Sequence, residues 1–274
     1  MGMDLFARFR HRRHPAVNMD GVATFPFGEV QEKADSIEGM MSAFSMQLMD
    51  SVLAFQKATG VTGSILEFGV FKGRSAAVLS AHVQPKDKFV LVDVEPYMTA
   101  ETAASFFAKP DFHLGRSEEF AKSYDGYTSL KRSVRFMHVD STHSYRGTLE
   151  EMKLADALLA PDGVLCLDDY ANLNYSQILP AVYKYLYRSW TDLRVFLVTN
   201  DKCYICRRKH FDFYASFVLN SLVEEMRKRG NSNITLARTD IDREYRAFYL
   251  REKNFAGEED HYGQAIYGHF YEKP

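Results

Sequence analysis

Two aspartates stand side by side at Asp168 and Asp169, a third lies at Asp140 in the run V-D-S-T-H-S-Y, and His143 follows Asp140 by three residues. Three carboxylates that share one small site repel each other, so either some take up protons or a cation neutralises them. An all-oxygen donor set selects a hard divalent ion, Mg2+ first with Mn2+ or Ca2+ next, and the lack of a nearby His/Cys set argues against zinc. A solvated turn is the plain alternative for an isolated D-D pair. An imidazole titrates near pH 6.5, so His143 could accept a proton at neutral pH, and adjoining carboxylates would raise that value. Its plain alternative is a loop histidine bonded to a backbone carbonyl. His138 is the weaker candidate because it falls inside an apolar run.

A second group lies earlier, in I-L-E-F-G-V-F-K-G-R-S, where the spacing is Glu67-x-Gly69-x-x-x-Gly73 with Ser75 beyond it. Glycines that bracket a strand-to-helix turn let a ligand approach the main chain, and the helix that follows offers free N–H groups to an anion. The dinucleotide fingerprint is G-x-G-x-x-G; here there is one glycine fewer and an acid before the first. That acid repels pyrophosphate but can pair with an ammonium. The next apolar run, F-V-L-V-D-V-E-P-Y, ends in Asp93, whose carboxylate at the end of a second strand is suited to ribose hydroxyls. Glu95 is a rival, although Pro96 already turns the chain away.

The elements that must position these groups follow from hydrophobic patterning. Short apolar runs are expected as strands at 64–68, 88–92, around Phe112, 134–139, 163–167, 193–199 and 202–207. The first five are separated by helix-length segments, the signature of βα units around a parallel sheet, whereas only Asn200-Asp201 divides the last two, which makes an antiparallel hairpin. The expected fold is therefore α/β: a Rossmann-like, doubly wound, seven-stranded sheet, mostly parallel, with a terminal antiparallel hairpin. Strands four and five of such a sheet end at one crevice, so Asp140, Asp168 and Asp169 should converge. Apolar residues at Ile37, Met41, Phe44, Leu48, Val52 and Phe55 predict a helix over 36–59, capped by Asp35 or Ser36, and a further helix is expected over 213–229.

This layout and these motifs resemble class I S-adenosylmethionine-dependent methyltransferases. Glu67, Gly69, Gly73 and Ser75 match their first motif, which implies that Glu67 faces the ammonium and Ser75 the carboxylate of the cofactor's methionine end. The segment H-L-G-R-S-E-E-F is similar to the one that borders the adenine, which implies a contact from Ser117; capping of the helix that begins at Glu118 is its other reading. The Asp140, Asp168, Asp169 constellation resembles the metal-dependent catechol-type O-methyltransferases, and more closely the macrocin and cephalosporin-biosynthesis type. The resemblance implies Asp140 at the metal, the cofactor and the reacting centre, and His143 as catalytic base. Relatives commonly show D-G-D-H-S-Y, whereas this chain has Ser141 and Thr142 in place of a glycine and an acid, a departure that bears on the loop's geometry and its grip on a metal.

The remaining features bound the function. The 274 residues are 46% hydrophobic and 26% charged, with 34 Lys+Arg against 36 Asp+Glu, which excludes a disordered chain and provides no global field for nucleic acid or anionic lipid. Three cysteines, Cys166, Cys203 and Cys206, form no disulfide framework and suit a reducing, cytoplasmic setting. The C-x-x-C pair within one strand should send its side chains to opposite faces, so it is not a chelator. No apolar run is long enough to span a bilayer. The expected organisation is a basic arm and lead-in over 1–35 with Arg8, Arg10, Arg12 and Arg13, a cap helix over 36–60, the cofactor-binding core over 61–210 and a helical, aromatic cap over 211–274. The terminal segments are candidates for self-association. The implied activity is metal-assisted O-methylation of a small hydroxylated acceptor such as a sugar, polyol or natural-product intermediate. A cofactor-binding protein without methyl transfer, and a nicotinamide-dependent oxidoreductase, are the alternatives from other classes.

Overall fold

The short apolar runs form strands packed between two layers of helices, and alternate residues along them feed two separate cores. A computed structural model describes residues 17–188, 190–239 and 247–253. The basic arm and the aromatic positions Tyr245, Tyr262, Tyr267, Phe270 and Tyr271 lie outside the described residues. The strands are β1 Ser64–Phe68, β2 Phe89–Asp93, β3 Asp111–Leu114, β4 Val134–Val139, β5 Leu159–Leu167, β6 Leu193–Val198, β7 Cys203–Arg207, β8 Ile234–Arg238 and β9 Phe248–Glu252. They form one sheet in the order β3-β2-β1-β4-β5-β7-β6-β9-β8. β1 to β5 run parallel and β7 is antiparallel to both β5 and β6. The hairpin expected at the end of the sheet is thus present, with its second strand inserted beside β5.

Among the described residues nine strands stand in place of the seven expected. β8 and β9 pair with one another, and β9 lies parallel to β6. The segment read as a cap over 211–274 therefore carries part of the sheet. Before β8 it is helical: α9 Phe211–Phe217, a π-helical turn at Val218–Leu222 and α10 Val223–Lys228.

The N-terminal helix also differs from expectation. The helix expected over 36–59 begins later, as α2 Ala43–Ala58, and a separate helix, α1 Phe27–Asp35, precedes it. Ser42 caps α2 by accepting the Ser45 amide at 3.2 Å. Residues 36–41 form a connecting loop because Arg74, on α3 Arg74–Ser80, holds them: its guanidinium donates to the Ile37 and Met41 carbonyls, each at 3.1 Å, and pairs with Asp35. Periodicity cannot detect such a staple, since its partner is more than thirty residues away.

The remaining helices are the short α4 Ala100–Ser105, α5 Phe120–Ser123 and α6 Tyr127–Leu130, then α7 Tyr145–Leu158 and α8 Ile178–Leu186. One core joins Ile65, Phe136, Val164 and Cys206 to α2, α3 and α9; the other joins Leu66, Met137, Leu165 and Cys203 to α7 and α8. Cys203 and Cys206 thus lie on opposite faces, as alternation along a strand requires, and all three cysteines are free and buried. Among the described residues no helix is long and apolar enough to cross a membrane. The strand order reverses between β1 and β4, and a crevice opens at their carboxyl ends.

Candidate active site

The chain leaves β1 through Gly69, which has φ 80°, a backbone conformation closed to side-chain-bearing residues without strain. The close approach of the neighbouring strand adds a second requirement: a Cβ at Gly69 would collide with the carbonyl of Asp140. Gly73, with φ 97°, caps α3. The loop between them is wrapped onto Asp93, whose Oδ2 accepts the amides of Val70 and Phe71 at 2.8 Å each. Asp93 therefore shapes the glycine loop as well as facing the crevice.

Gly69, Ser75, Asp93, Ser117 and Asp140 line one cleft of about 810 Å³, within the range of small-molecule sites. The loop of residues 38–42 forms part of its wall, with Met40 almost wholly exposed. Glu67 and Gly73, expected at the cofactor, are not in the lining. Glu67 is fully buried and receives His138 Nδ1 at 2.7 Å, its register partner across β1 and β4. Ser117 reaches the cleft, but its hydroxyl donates to Glu151 at 2.7 Å and does not cap a helix.

At the other end of the same cleft His143 lies between two carboxylates. Its Nε2 is 3.0 Å from Asp140 Oδ1 and 3.0 Å from Asp169 Oδ2. The ring stacks on Tyr175 with centroids 4.3 Å apart, and Asn172 donates to Asp169 Oδ1 at 2.8 Å. His143 and Asp169 both adopt left-handed backbone, with φ 43° and 54°, a conformation that costs an ordinary residue about 1 kcal/mol or more. The hydrogen bond to Asp140 raises the His143 pKa against the opposing effect of burial, and the charges of Asp140, Asp169 and Asp168 add to the rise. Burial disfavours ionised Asp140, yet the bond from His143 and the charges of His138 and Lys202 outweigh it and hold the carboxyl at about 2. Asp169 is shifted upward, by burial first and then by its acidic neighbours.

The predicted trio is therefore only partly assembled. Asp140 and Asp169 converge on His143, whereas Asp168 turns to Lys202 and forms an ion pair with its ammonium. Two residues that sequence reasoning missed shape the site. Lys202 precedes β7 directly, and its signal lay in strand register, since an antiparallel β5/β7 pair sets it opposite Asp168. Glu151 gathers the hydroxyls of Ser117, Ser141 and Thr142. Its signal was a lone acid among the buried residues of α7, between Thr148 and Met152.

A mostly parallel α/β sheet with two reversed strands, β7 and β8, a glycine turn after β1 and a carboxylate at the end of β2 is a doubly wound layout of the kind that takes ligands in the crevice at its strand ends. Residues 66–170 match a family described as a methyltransferase domain. No curated protein matches the chain. Solved structures similar to it include CalS11, a TDP-rhamnose 3'-O-methyltransferase of calicheamicin biosynthesis, at 19% identity and TM-score 0.46 over 60% of this chain and 77% of that one. The O-methyltransferase NovP is similar at 14% identity and TM-score 0.47, over 60% and 80% of the two chains. The SAH-bound Podospora anserina methyltransferase PaMTH1 is similar at 15% identity and TM-score 0.41, over 66% and 94%.

The residues fit an adenosyl cofactor in their chemistry: the Asp93 carboxylate, the side-chain-free Gly69 and the Ser75 hydroxyl all line the cleft. They fit a divalent cation through two carboxylates, since ligand atoms of Asp140, Asp169 and His143 all lie within 4.8 Å of one another.

Proposed function

We propose that this protein transfers the methyl group of S-adenosylmethionine to a hydroxyl oxygen of a small polar acceptor, a sugar, polyol or natural-product intermediate, with help from a divalent cation. The observation that carries the reading is the convergence of Asp140, His143 and Asp169 in the cleft that also contains Gly69, Ser75 and Asp93. When bound, the cofactor supplies an electrophilic methyl group, and the cation lowers the pKa of an acceptor hydroxyl.

The chain's own residues supply position and proton transfer. Asp93 and the glycine loop hold the adenosyl end, and Asp140 and Asp169 would hold the cation. His143 accepts the hydroxyl proton at a ring nitrogen as the oxygen–carbon bond forms and the carbon–sulfur bond breaks, leaving S-adenosylhomocysteine and an imidazolium. Asp140 and Asp169 stabilise that imidazolium, and Tyr175 fixes the plane of the ring. The loop of residues 38–42, Tyr97 and Tyr175 line the cleft, and we assign them to the acceptor. Surface loops that wall a cleft are where binding specificity commonly resides.

Calorimetry with S-adenosylmethionine, followed by a methyl-transfer assay over a panel of hydroxylated acceptors with and without a chelator, tests the reading. Binding with chelator-sensitive turnover of at least one acceptor is expected. Binding without turnover on any acceptor would reduce the protein to a cofactor binder, and absence of binding would overturn the proposal.

A further inference from the structure

Asp168 and Asp169 are adjacent in sequence and opposite in circumstance. Asp169 reaches into the cleft, where its oxygens meet the neutral amide of Asn172 and the ring of His143, whereas Asp168 is held by a main-chain amide and a buried ammonium. Its Oδ1 accepts the Asp169 amide at 2.9 Å and its Oδ2 receives the ammonium of Lys202. Lys202 is 2% exposed, so its charge cannot swing into water. The main chain sets this pairing. Leu167 faces Cys203 in the antiparallel β5/β7 register, and one step outward brings Asp168 opposite Lys202. The turn before β7 locks the lysine backbone, with the Thr199 amide bonded to the Lys202 carbonyl at 2.8 Å and the Lys202 amide bonded to Thr199 Oγ1 at 2.9 Å. Lys202 nonetheless lines the same cleft as Asp140 and Asp169, and its charge reaches Asp140.

We propose that Lys202 is a built-in counter-ion that takes Asp168 out of the metal-ligating set and thereby sets the affinity of the site for divalent cations. Asp140 and Asp169 remain as the carboxylate ligands, backed by a fixed positive charge that opposes a second cation. The inference rests on the metal-assisted reading above and deepens it: the ion is held weakly and exchangeably. Lys202 acts here as a positioning residue through Asp168.

Titration of the full chain with Mn2+, with free ion followed by electron paramagnetic resonance, tests this on wild type, Lys202→Met and the double variant Asp168→Asn/Lys202→Met. Releasing Asp168 by Lys202→Met should tighten Mn2+ binding by about tenfold or more, because an unpaired buried carboxylate then gains from a cation. The double variant removes one charge of each sign and should remain within about threefold of wild type, as expected when an internally compensated pair is replaced by neutral groups. A double variant that no longer binds Mn2+ would make Asp168 a ligand and overturn the proposal. So would a Lys202→Met protein with unchanged or weaker affinity, or absence of Mn2+ binding in all three proteins. Circular dichroism checks folding, and should Lys202→Met fail to fold, the charge-neutral double variant decides. S-adenosylmethionine affinity, measured on the same proteins, separates the outcomes: a chain that binds the cofactor but whose Mn2+ affinity ignores these substitutions refutes the role of Lys202 alone, whereas loss of cofactor binding in wild type refutes the function itself.

Discussion

Substitution of Glu151 gives the sharpest test of how the cleft is built. This buried carboxylate on α7 accepts hydroxyls from Ser117 at 2.7 Å, from Thr142 at 3.2 Å and from Ser141, so it ties the segment after β3 and the loop after β4 to one helix. Glu151→Ala removes all three contacts. At a net value of about 1 kcal/mol for each hydrogen bond, the loss is about 3 kcal/mol. For a domain of this size each kcal/mol lowers the melting temperature by roughly 2 to 4 °C, so a drop of about 6 to 12 °C is expected. Glu151→Gln keeps acceptor and donor atoms in place and should remain close to wild type. Burial, against the opposing hydroxyl bonds, raises the Glu151 pKa above its ordinary value. The protonated form is therefore the one that folding favours: its contribution is complete below the unfolded-state pKa and is lost as pH rises through the folded-state value. Relative to Glu151→Gln, wild type should lose stability across that acidic window. Thermal melts of the three proteins from pH 4 to pH 8, with cofactor affinity at each pH, provide the assay. A Glu151→Ala protein that melts with wild type and binds cofactor equally well would refute the argument, and parallel pH profiles for wild type and Glu151→Gln would refute its electrostatic half.

Two other substitutions probe the ends of the cleft. His143→Ala should lower turnover by about 10²- to 10⁴-fold near neutral pH, the usual contribution of a general base. In wild type kcat/KM should rise with pH as the His143 ring loses its proton and becomes able to act as base. The variant should lack that limb, and a rate profile that keeps it would show the proton going elsewhere. Asp93→Ala frees the amides of Val70 and Phe71 and removes the carboxylate facing the crevice, so S-adenosylmethionine affinity should fall at least about tenfold by calorimetry, given charge-assisted bonds of about 1.5 to 3 kcal/mol each. Unchanged affinity would assign Asp93 to the loop alone.

Much of this architecture is written along the chain. Short apolar runs mark the strands, and in a parallel sheet the residues at their carboxyl ends must meet at one crevice, so Gly69, Asp93, Asp140 and Asp169 could be placed there from spacing alone. The C-x-x-C pair could be assigned to opposite faces for the same reason, since side chains alternate along a strand whatever the tertiary context. The division of labour between Asp168 and Asp169 could not be read this way. It depends on β7 lying beside β5, which brings up a lysine 34 residues further on. The burial of Glu67 against His138 depends on the register of β1 with β4, and the gathering of three hydroxyls on Glu151 depends on how α7 packs over two loops. Arg74 likewise converts 36–41 from predicted helix into cleft wall, and β8 and β9 attach to a sheet edge that local pattern does not reveal. Composition and periodicity report which side chains are apolar and how they repeat along the backbone. Which charges share a partner is set by contacts between distant segments, and only the folded chain brings those segments together.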